Sequence, residues 1–357
     1  MARSMACSTT IRTLAAAALL SVVAQAGART RQAAQEQPTL TAVQGIRVGH
    51  HTLAERPTGC TVVLVDGEAV GGVSQRGPAP GTRETDLLRS ENTVDRVHAV
   101  VLAGGSAFGL DAASGAVRWL EEQNVGWAVR TGRVPIVPAA ILFDLGVGGD
   151  PRIRPGADCG YRAARTASGA PVAEGSIGAG AGATVGKFVR GARPTKAGIG
   201  SAALVMANGL VVGALVAVNA VGDIVDPETG RIVAGARNAD GTFADARAVL
   251  RSGASLEPAR PGENTTIGVV ATNARLTKAQ ANLLALMADD GLARSIYPSH
   301  TTGDGDTLFA LATGRWDGRA DVGTIGALAA EAVARAVVRA ATQATSVAGI
   351  PAARDLR

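Results

Sequence analysis

Lysine is nearly missing from this chain of 357 residues: Lys187, Lys196 and Lys278 are the three it has, so the formal charge of +5 rests on arginine. Aromatic residues make up only 3%. The basic residues are scattered and form no stripe interleaved with aromatic side chains, so nucleic acid is not expected as a partner. Cysteine occurs at positions 7, 60 and 159, and no Cys/His spacing resembles a zinc site. The histidines are His50, His51, His98 and His300. A Ser-His-Asp triad needs one of them beside a serine, and His98 falls inside an apolar run that reads as a core strand.

What the chain does have is small apolar residues. Its hydrophobic content is 46% and it carries 46 glycines. Such a core is built on Ala, Val and Leu with close backbone approaches. The N-terminus reads as an export signal. Arg3 and Arg12 supply the charge, Leu14 to Val23 form an apolar run too short to span a membrane, and Ala24-Gln25-Ala26 is a small-x-small cleavage site. No Cys follows that run directly, so no lipid anchor is expected, and the mature protein would be periplasmic or extracellular. Residues 1–26 are thus read as signal, 27–44 as a flexible lead-in and 45–357 as one catalytic domain. Cys60 and Cys159 would remain after export. An oxidising compartment permits a disulfide between them, and two buried free thiols fit the sequence equally well.

Along the domain, Cys60 to Asp66 and Val97 to Leu102 read as buried strands. Leu110 to Gln123 has helical periodicity, and Val134 to Leu142 is apolar but broken by Pro138. Asn208-Gly209 between Ala202–Met206 and Val211–Val218 is a hairpin signal. Asp240 to Leu250 reads as a short helix and Thr265 to Thr272 as a strand. Thr277 to Gly291 reads as a helix with Thr277 as N-cap and Gly291 as C-cap. Thr307 to Ala312 is a strand, and Asp321 to Thr342 a long Ala-rich helix. The elements interleave without a βαβ rhythm, which favours a layered α/β architecture.

Two motifs fail on detail. The glycine run from Gly178 to Lys187 has Ala181 where a phosphate loop needs glycine, and Phe188 where it needs Ser or Thr. Gly104-Gly105-Ser106 is half of a nucleophile elbow, with Phe108 at the last glycine position. Other features carry chemistry. A polar, Pro-rich run from Arg251 ends at Asn264, and a β-rich run opens at Thr265. A Thr that opens a buried strand after a linker can attack the preceding carbonyl. Hydrolysis of the resulting ester frees an α-amine titrating at about 7.7–8.0, a base for its own hydroxyl. Asp304-Gly305-Asp306 places two carboxylates that either bind a cation or orient a hydroxyl and amine. Asn219, at a strand end, either forms a turn or supplies an oxyanion donor. Lys187 is a surface cation or a buried charge that tunes a nearby amine.

In this order the pieces resemble the autocleaving peptidase family of L-aminopeptidase/D-esterase enzymes, β-aminopeptidases and nylon-oligomer hydrolases. The resemblance runs from Gly45-Ile46-Arg47-Val48-Gly49-His50 to the final Ala-rich helix. It is carried by the segment Leu102 to Leu110, by Gly186-Lys187 and by Val218-Asn219-Ala220-Val221-Gly222. It is strongest in Gly262-Glu263-Asn264-Thr265-Thr266-Ile267 and in the segment from His300 to Ala310. The Asn-Thr pair and Asp-Gly-Asp spacing look closest to the nylon-oligomer hydrolases. The resemblance implies a four-layer α/β/β/α sandwich like that of N-terminal nucleophile hydrolases. It implies self-cleavage at Asn264–Thr265 into pieces 45–264 and 265–357. Thr265 would be the nucleophile, Asp304 and Asp306 would orient its amine and hydroxyl, Lys187 would set the charge balance, and Asn219 would help form the oxyanion site. No cofactor or metal is implied. The partners would be a small peptide or amide substrate and the chain's own cleaved halves, in a homo-oligomer, a tetramer of such units. Phe143 departs from the family pattern, which has a Tyr there, and lacks its hydroxyl. The activity expected is an amidase or aminopeptidase working through an acyl-enzyme. The alternatives are an esterase or acyl-transferase on the same site, or an exported metal- or carbohydrate-binding protein using Asp304 and Asp306.

Overall fold

Strand after strand in this chain is apolar on both faces, so each must be covered twice. Along Val211–Asn219, Val212, Ala214, Val216 and Val218 enter one core, while Val211, Leu215 and Ala217 enter another. Along Gly59–Gln75, Cys60, Val62 and Leu64 enter a third core, and Val63 and Val65 join the second. Side chains alternate sides at each residue of a strand, so these are opposite faces. Three stacked apolar cores separate four layers. Helices Lys278–Ser295 and Val322–Thr342 cover the first core, two strand layers enclose the second, and helices Ala112–Glu122 and Ala157–Thr166 cover the third. This is the α/β/β/α sandwich the resemblance implies. The computed structural model describes residues 37–254, 262–319 and 321–356. The export signal and linker residues 255–261 lie outside them.

Nine of the strands form one hydrogen-bonded sheet, in the order Ile199–Val205, Val211–Asn219, Thr265–Thr272, Thr307–Ala312, Gly59–Gln75, Arg96–Ala103, Ala139–Ile141 and Thr82–Arg83. The ninth, Ile46–Thr52, also pairs with Gly59–Gln75. The long Gly59–Gln75 strand joins the layers: residues 70–75 pair with Thr307–Ala312, while residues 59–65 pair with Ile46–Thr52.

The register sets the site. Thr265–Thr272 runs antiparallel to Val211–Asn219, with Thr265 opposite Asn219. On its other side it runs parallel to Thr307–Ala312, and an isolated bridge links Asn264 to Asp304 just ahead of that pairing. The peptide bond before Thr265 is therefore clamped between Asn219 and the 304–306 turn.

Several boundaries differ from the sequence expectation. The lead-in ends before residue 44, because Leu40 and Val43 are fully buried in the inter-sheet core. Gly291 is not a C-cap. The helix continues to Ser295, and a Cβ at Gly291 would overlap the Ala330 carbonyl and sit 2.7 Å from Val333 Cβ, so this glycine lets two helices touch. The helix expected over 240–250 is confined to Ala246–Ser252, capped by Asp245, whose carboxylate accepts from the Arg247 amide. Residues 106–111 form a 3-10 turn before the helix at Ala112.

Candidate active site

Thr265 is 1% exposed and opens its strand. Its hydroxyl donates to the Asn264 carbonyl at 2.6 Å. The Gly305 amide donates to the same oxygen at 2.9 Å. Two donors on one carbonyl draw charge onto its oxygen, the electronic demand of attack at its carbon. Gly305 is needed here for space: a Cβ would lie 2.5 Å from the Ala79 carbonyl and 2.9 Å from Thr265 Oγ1. Asn264 Oδ1 and Thr266 Oγ1 are buried with no hydrogen-bond partner among the described residues. Unpaired buried polar atoms are costly, and they concentrate here around one peptide bond.

Asn219 occupies the opposite wall. Its amide nitrogen donates to the Phe143 carbonyl at 2.8 Å and to the Glu263 carbonyl at 3.4 Å. Asn219 therefore holds the residue that precedes Asn264, while the donors on the Asn264 carbonyl are Thr265 and Gly305. The Phe143 side chain lacks a hydroxyl, and the contact this residue makes here comes from its main chain. The Asn219 side-chain oxygen accepts from the Thr184 amide at 3.1 Å and from Lys187 Nζ at 3.1 Å. Lys187 Nζ also donates to the Asn219 carbonyl at 3.2 Å. Burial lowers the Lys187 pKa to about 7, against the opposing charges of Asp304 and Glu263. Lys187 is placed by its neighbours: the Gly186 and Lys187 amides donate to the Gly222 and Val221 carbonyls.

The acid pair divides its work. Asp306 Oδ1 accepts from the Thr266 amide at 2.7 Å, one residue past Thr265, and Oδ2 meets His300 Nδ1 at 2.9 Å. Asp304 Oδ2 accepts from the Thr301 amide at 2.7 Å, while Oδ1 is buried without a partner among the described residues. Burial first and the Asp306 charge second raise Asp304 to about 6, with the Thr301 hydrogen bonds and Lys187 pulling the other way. Neither carboxylate is bonded to the Thr265 hydroxyl, which donates to the Asn264 carbonyl. All five candidate residues, Thr265, Asn219, Lys187, Asp304 and Asp306, nonetheless surround the Asn264–Thr265 bond. Sequence reasoning missed Gly305 as a backbone donor, and it missed His300.

The remaining motifs serve the scaffold. The Gly104-Gly105-Ser106 turn rests on Asp144, whose carboxylate accepts from the Gly105 amide at 2.9 Å, the Thr58 hydroxyl at 2.6 Å and Arg56 at 2.7 Å. Among the described residues no side chain is hydrogen-bonded to Ser106. The glycine run is buried rather than open: a Cβ at Gly182 would meet the Pro57 carbonyl at 2.5 Å. His98 is a core residue whose Nδ1 accepts from the Ile136 amide at 3.1 Å. Cys60 and Cys159 form a disulfide, which resolves the alternative left open by the sequence.

Comparison with known proteins gives the class, a peptidase or amidase, and its family. The model of peptidase family S58 matches residues 38–354. An uncharacterised aminopeptidase of Mycobacterium bovis is 43% identical over 346 residues, covering 89% of this chain and 97% of the relative. A 6-aminohexanoate-oligomer endohydrolase of a Kocuria species is 32% identical over 316 residues, covering 83% of this chain and 84% of the relative. Among solved structures, a Burkholderia β-aminopeptidase aligns with TM-score 0.64 at 24% identity, over 87% of this chain and 88% of that one. An L-aminopeptidase D-Ala-esterase/amidase from Ochrobactrum anthropi, described as a variant of the Ntn hydrolase fold, aligns with TM-score 0.65 at 21% identity, over 87% and 88%. This chain belongs to peptidase family S58.

Proposed function

We propose that the chain is a self-processing amide hydrolase with Thr265 as nucleophile. The observation that carries this reading is the doubly held Asn264 carbonyl, with the Thr265 hydroxyl at 2.6 Å and the Gly305 amide at 2.9 Å. Thr265 Oγ1 attacks the Asn264 carbonyl carbon, the C–N bond breaks, and the hydroxyl proton passes to the departing nitrogen. Water then cleaves the ester, leaving the Asn264 carboxylate and a free Thr265 amine. In the mature site that amine takes the hydroxyl proton as Thr265 attacks a substrate amide. An acyl-enzyme forms, the amine product leaves, and water releases the acid. Asp306, on the Thr266 amide, and Asp304, with a free buried oxygen, are the acceptors for the new ammonium. That arrangement favours orientation over cation binding as the role of the pair.

The substrate class is an N-terminal aminoacyl amide or a short linear oligoamide, in keeping with the aminopeptidase and oligomer-hydrolase names of the relatives. Export to the periplasm or beyond accords with the Cys60–Cys159 disulfide. Assembly as a tetramer of cleaved units rests on the family resemblance. The test is processing itself. The purified wild-type protein should run as two pieces, the smaller beginning at Thr265 by N-terminal sequencing. Thr265→Ala should stay intact and inactive but folded, and Thr265→Ser should retain cleavage. An active protein with an uncut Asn264–Thr265 bond would overturn the assignment.

A further inference from the structure

The turn that carries the acid pair is pinned at each of its carbonyls. The Ala79 amide donates to the Asp304 carbonyl at 3.0 Å and the Thr307 hydroxyl to the Gly305 carbonyl at 3.0 Å. The Arg76 and Gly77 amides donate to the Asp306 carbonyl at 3.1 and 3.3 Å. A Cβ at Gly77 would lie 2.2 Å from the Asp306 amide nitrogen and 2.5 Å from the Asp304 carbonyl oxygen, so the 76–79 segment approaches the turn as only glycine allows.

In a trans peptide the C=O and the N–H point in opposite directions. Ala79 holds the carbonyl end of the 304–305 peptide unit, and the N–H end points the other way, onto the Asn264 carbonyl oxygen at 2.9 Å. The donor is thus aimed before any charge develops, which is what makes a fixed dipole effective at an oxyanion. Asn219 is engaged elsewhere. Its amide nitrogen lies on the Phe143 and Glu263 carbonyls, and its side-chain oxygen is held by the Thr184 amide and Lys187.

Under the proposed scheme, self-cleavage and turnover pass through the same kind of ester. When Thr265 Oγ1 displaces its own nitrogen from the Asn264 carbonyl carbon, the acyl group ends on Oγ1. When Oγ1 displaces the amine of a substrate amide, the acyl group again ends on Oγ1. Water opens both alike: its oxygen bonds to the ester carbon, the carbonyl oxygen takes the negative charge, the C–Oγ1 bond breaks, and a water proton ends on Oγ1. The acyl oxygen is tethered to the same atom in both esters and meets the same fixed donor. We propose that the Gly305 amide is the oxyanion donor of substrate turnover as well as of self-cleavage, and that the Ala79 amide is the positioning group that aims it. The inference rests on the assignment of Thr265 as nucleophile.

The experiment replaces the Gly305 N–H by an ester oxygen, by incorporating glycolic acid at position 305 of the full-length chain. This removes the donor and adds no Cβ. Processing is followed on a denaturing gel. Turnover of alanine p-nitroanilide and p-nitrophenyl acetate is measured on the fraction that has finished processing. The processing rate and kcat should each fall about 10²–10³-fold, the usual loss for one oxyanion donor. KM should change little, because the bond tightens only as charge develops. Lactic acid at position 79, which removes the Ala79 N–H alone, should give a smaller loss with the same split between kcat and KM. Slow processing with an unchanged kcat would confine the donor to self-cleavage and overturn the proposal, and so would unchanged rates in both steps. If the ester-containing chain does not fold, a crystal structure of the wild-type protein with the aldehyde of alanine decides. The hemiacetal oxygen on Thr265 should accept from the Gly305 amide, and an oxygen bonded to Asn219 Nδ2 without Gly305 would overturn the proposal. A wrong nucleophile shows separately, as an active Thr265→Ala protein.

Discussion

The residues around the Asn264–Thr265 bond are legible in the sequence to the extent that their chemistry lies in the side chain. Thr265 announces itself by opening a strand after a polar linker, and Asp304 and Asp306 by their spacing before the next strand. Gly305 acts through its amide and through the side chain it lacks, neither of which composition reveals. Asp289 looks like one more polar residue on a helix until the fold turns it inward. Lys187 was ambiguous, a surface cation or a buried charge; the structure holds it on Asn219, with a pKa lowered to about 7 by burial. Its unprotonated fraction therefore grows as pH rises through about 7, and under the proposed scheme it would then be available as a base for processing. Self-cleavage of freshly refolded precursor should accelerate across that window. Lys187→Met should process on the order of 10²-fold more slowly or worse and lose that rise, as removal of a proton-transfer group does. A stopped time course at several pH values reads this directly; an identical rise in Lys187→Met would assign it to another group.

Elements were easier to place than their ends. Largely apolar runs mark the strands read at 60–66, 97–102, 211–218 and 265–272, because burial on both faces leaves few polar residues in them. Thr277 was read as an N-cap, and it forms a full capping box with Gln280. Glycine near a helix end usually marks a stop, and Gly291 does not. What decides its role is a neighbour distant in sequence, the Ala330–Val333 face of the last helix. This reverses the normal substitution rule. In an exposed helix interior, Gly→Ala gains up to about 1 kcal/mol. Here Gly291→Ala should cost about 1–3 kcal/mol through overpacking against that helix. Urea unfolding of the two proteins checks the sign, and a more stable variant would mean that the helices separate at little cost.

At the scale of the whole molecule, four layers follow from three apolar cores; element periodicity indicates only a layered α/β arrangement, and the four layers are what the family resemblance implies. Which strands lie side by side is set by pairings far apart in the chain, such as Thr307–Ala312 against residues 70–75, and no local pattern encodes them. The disulfide is the covalent counterpart of this long-range order. Cys60 lies on the strand that joins the two sheet layers and Cys159 on an outer helix, with a sequence separation of 99. Closing a loop of that length removes much freedom from the unfolded chain, and native disulfides typically contribute about 2–4 kcal/mol. The cross-link sits in the core beneath helices Ala112–Glu122 and Ala157–Thr166, whereas the Asn264–Thr265 bond is held by Asn219 and the 304–306 turn. Stability and chemistry should therefore separate. Cys60→Ser should unfold at a lower urea concentration by an amount equivalent to about 2–4 kcal/mol, and still cleave itself when folded. Equal midpoints for the two proteins, with two free thiols titrated in the wild type, would show that the bridge is not formed. Loss of cleavage in a folded Cys60→Ser protein would show that the joining strand transmits its outer-layer anchorage to the site.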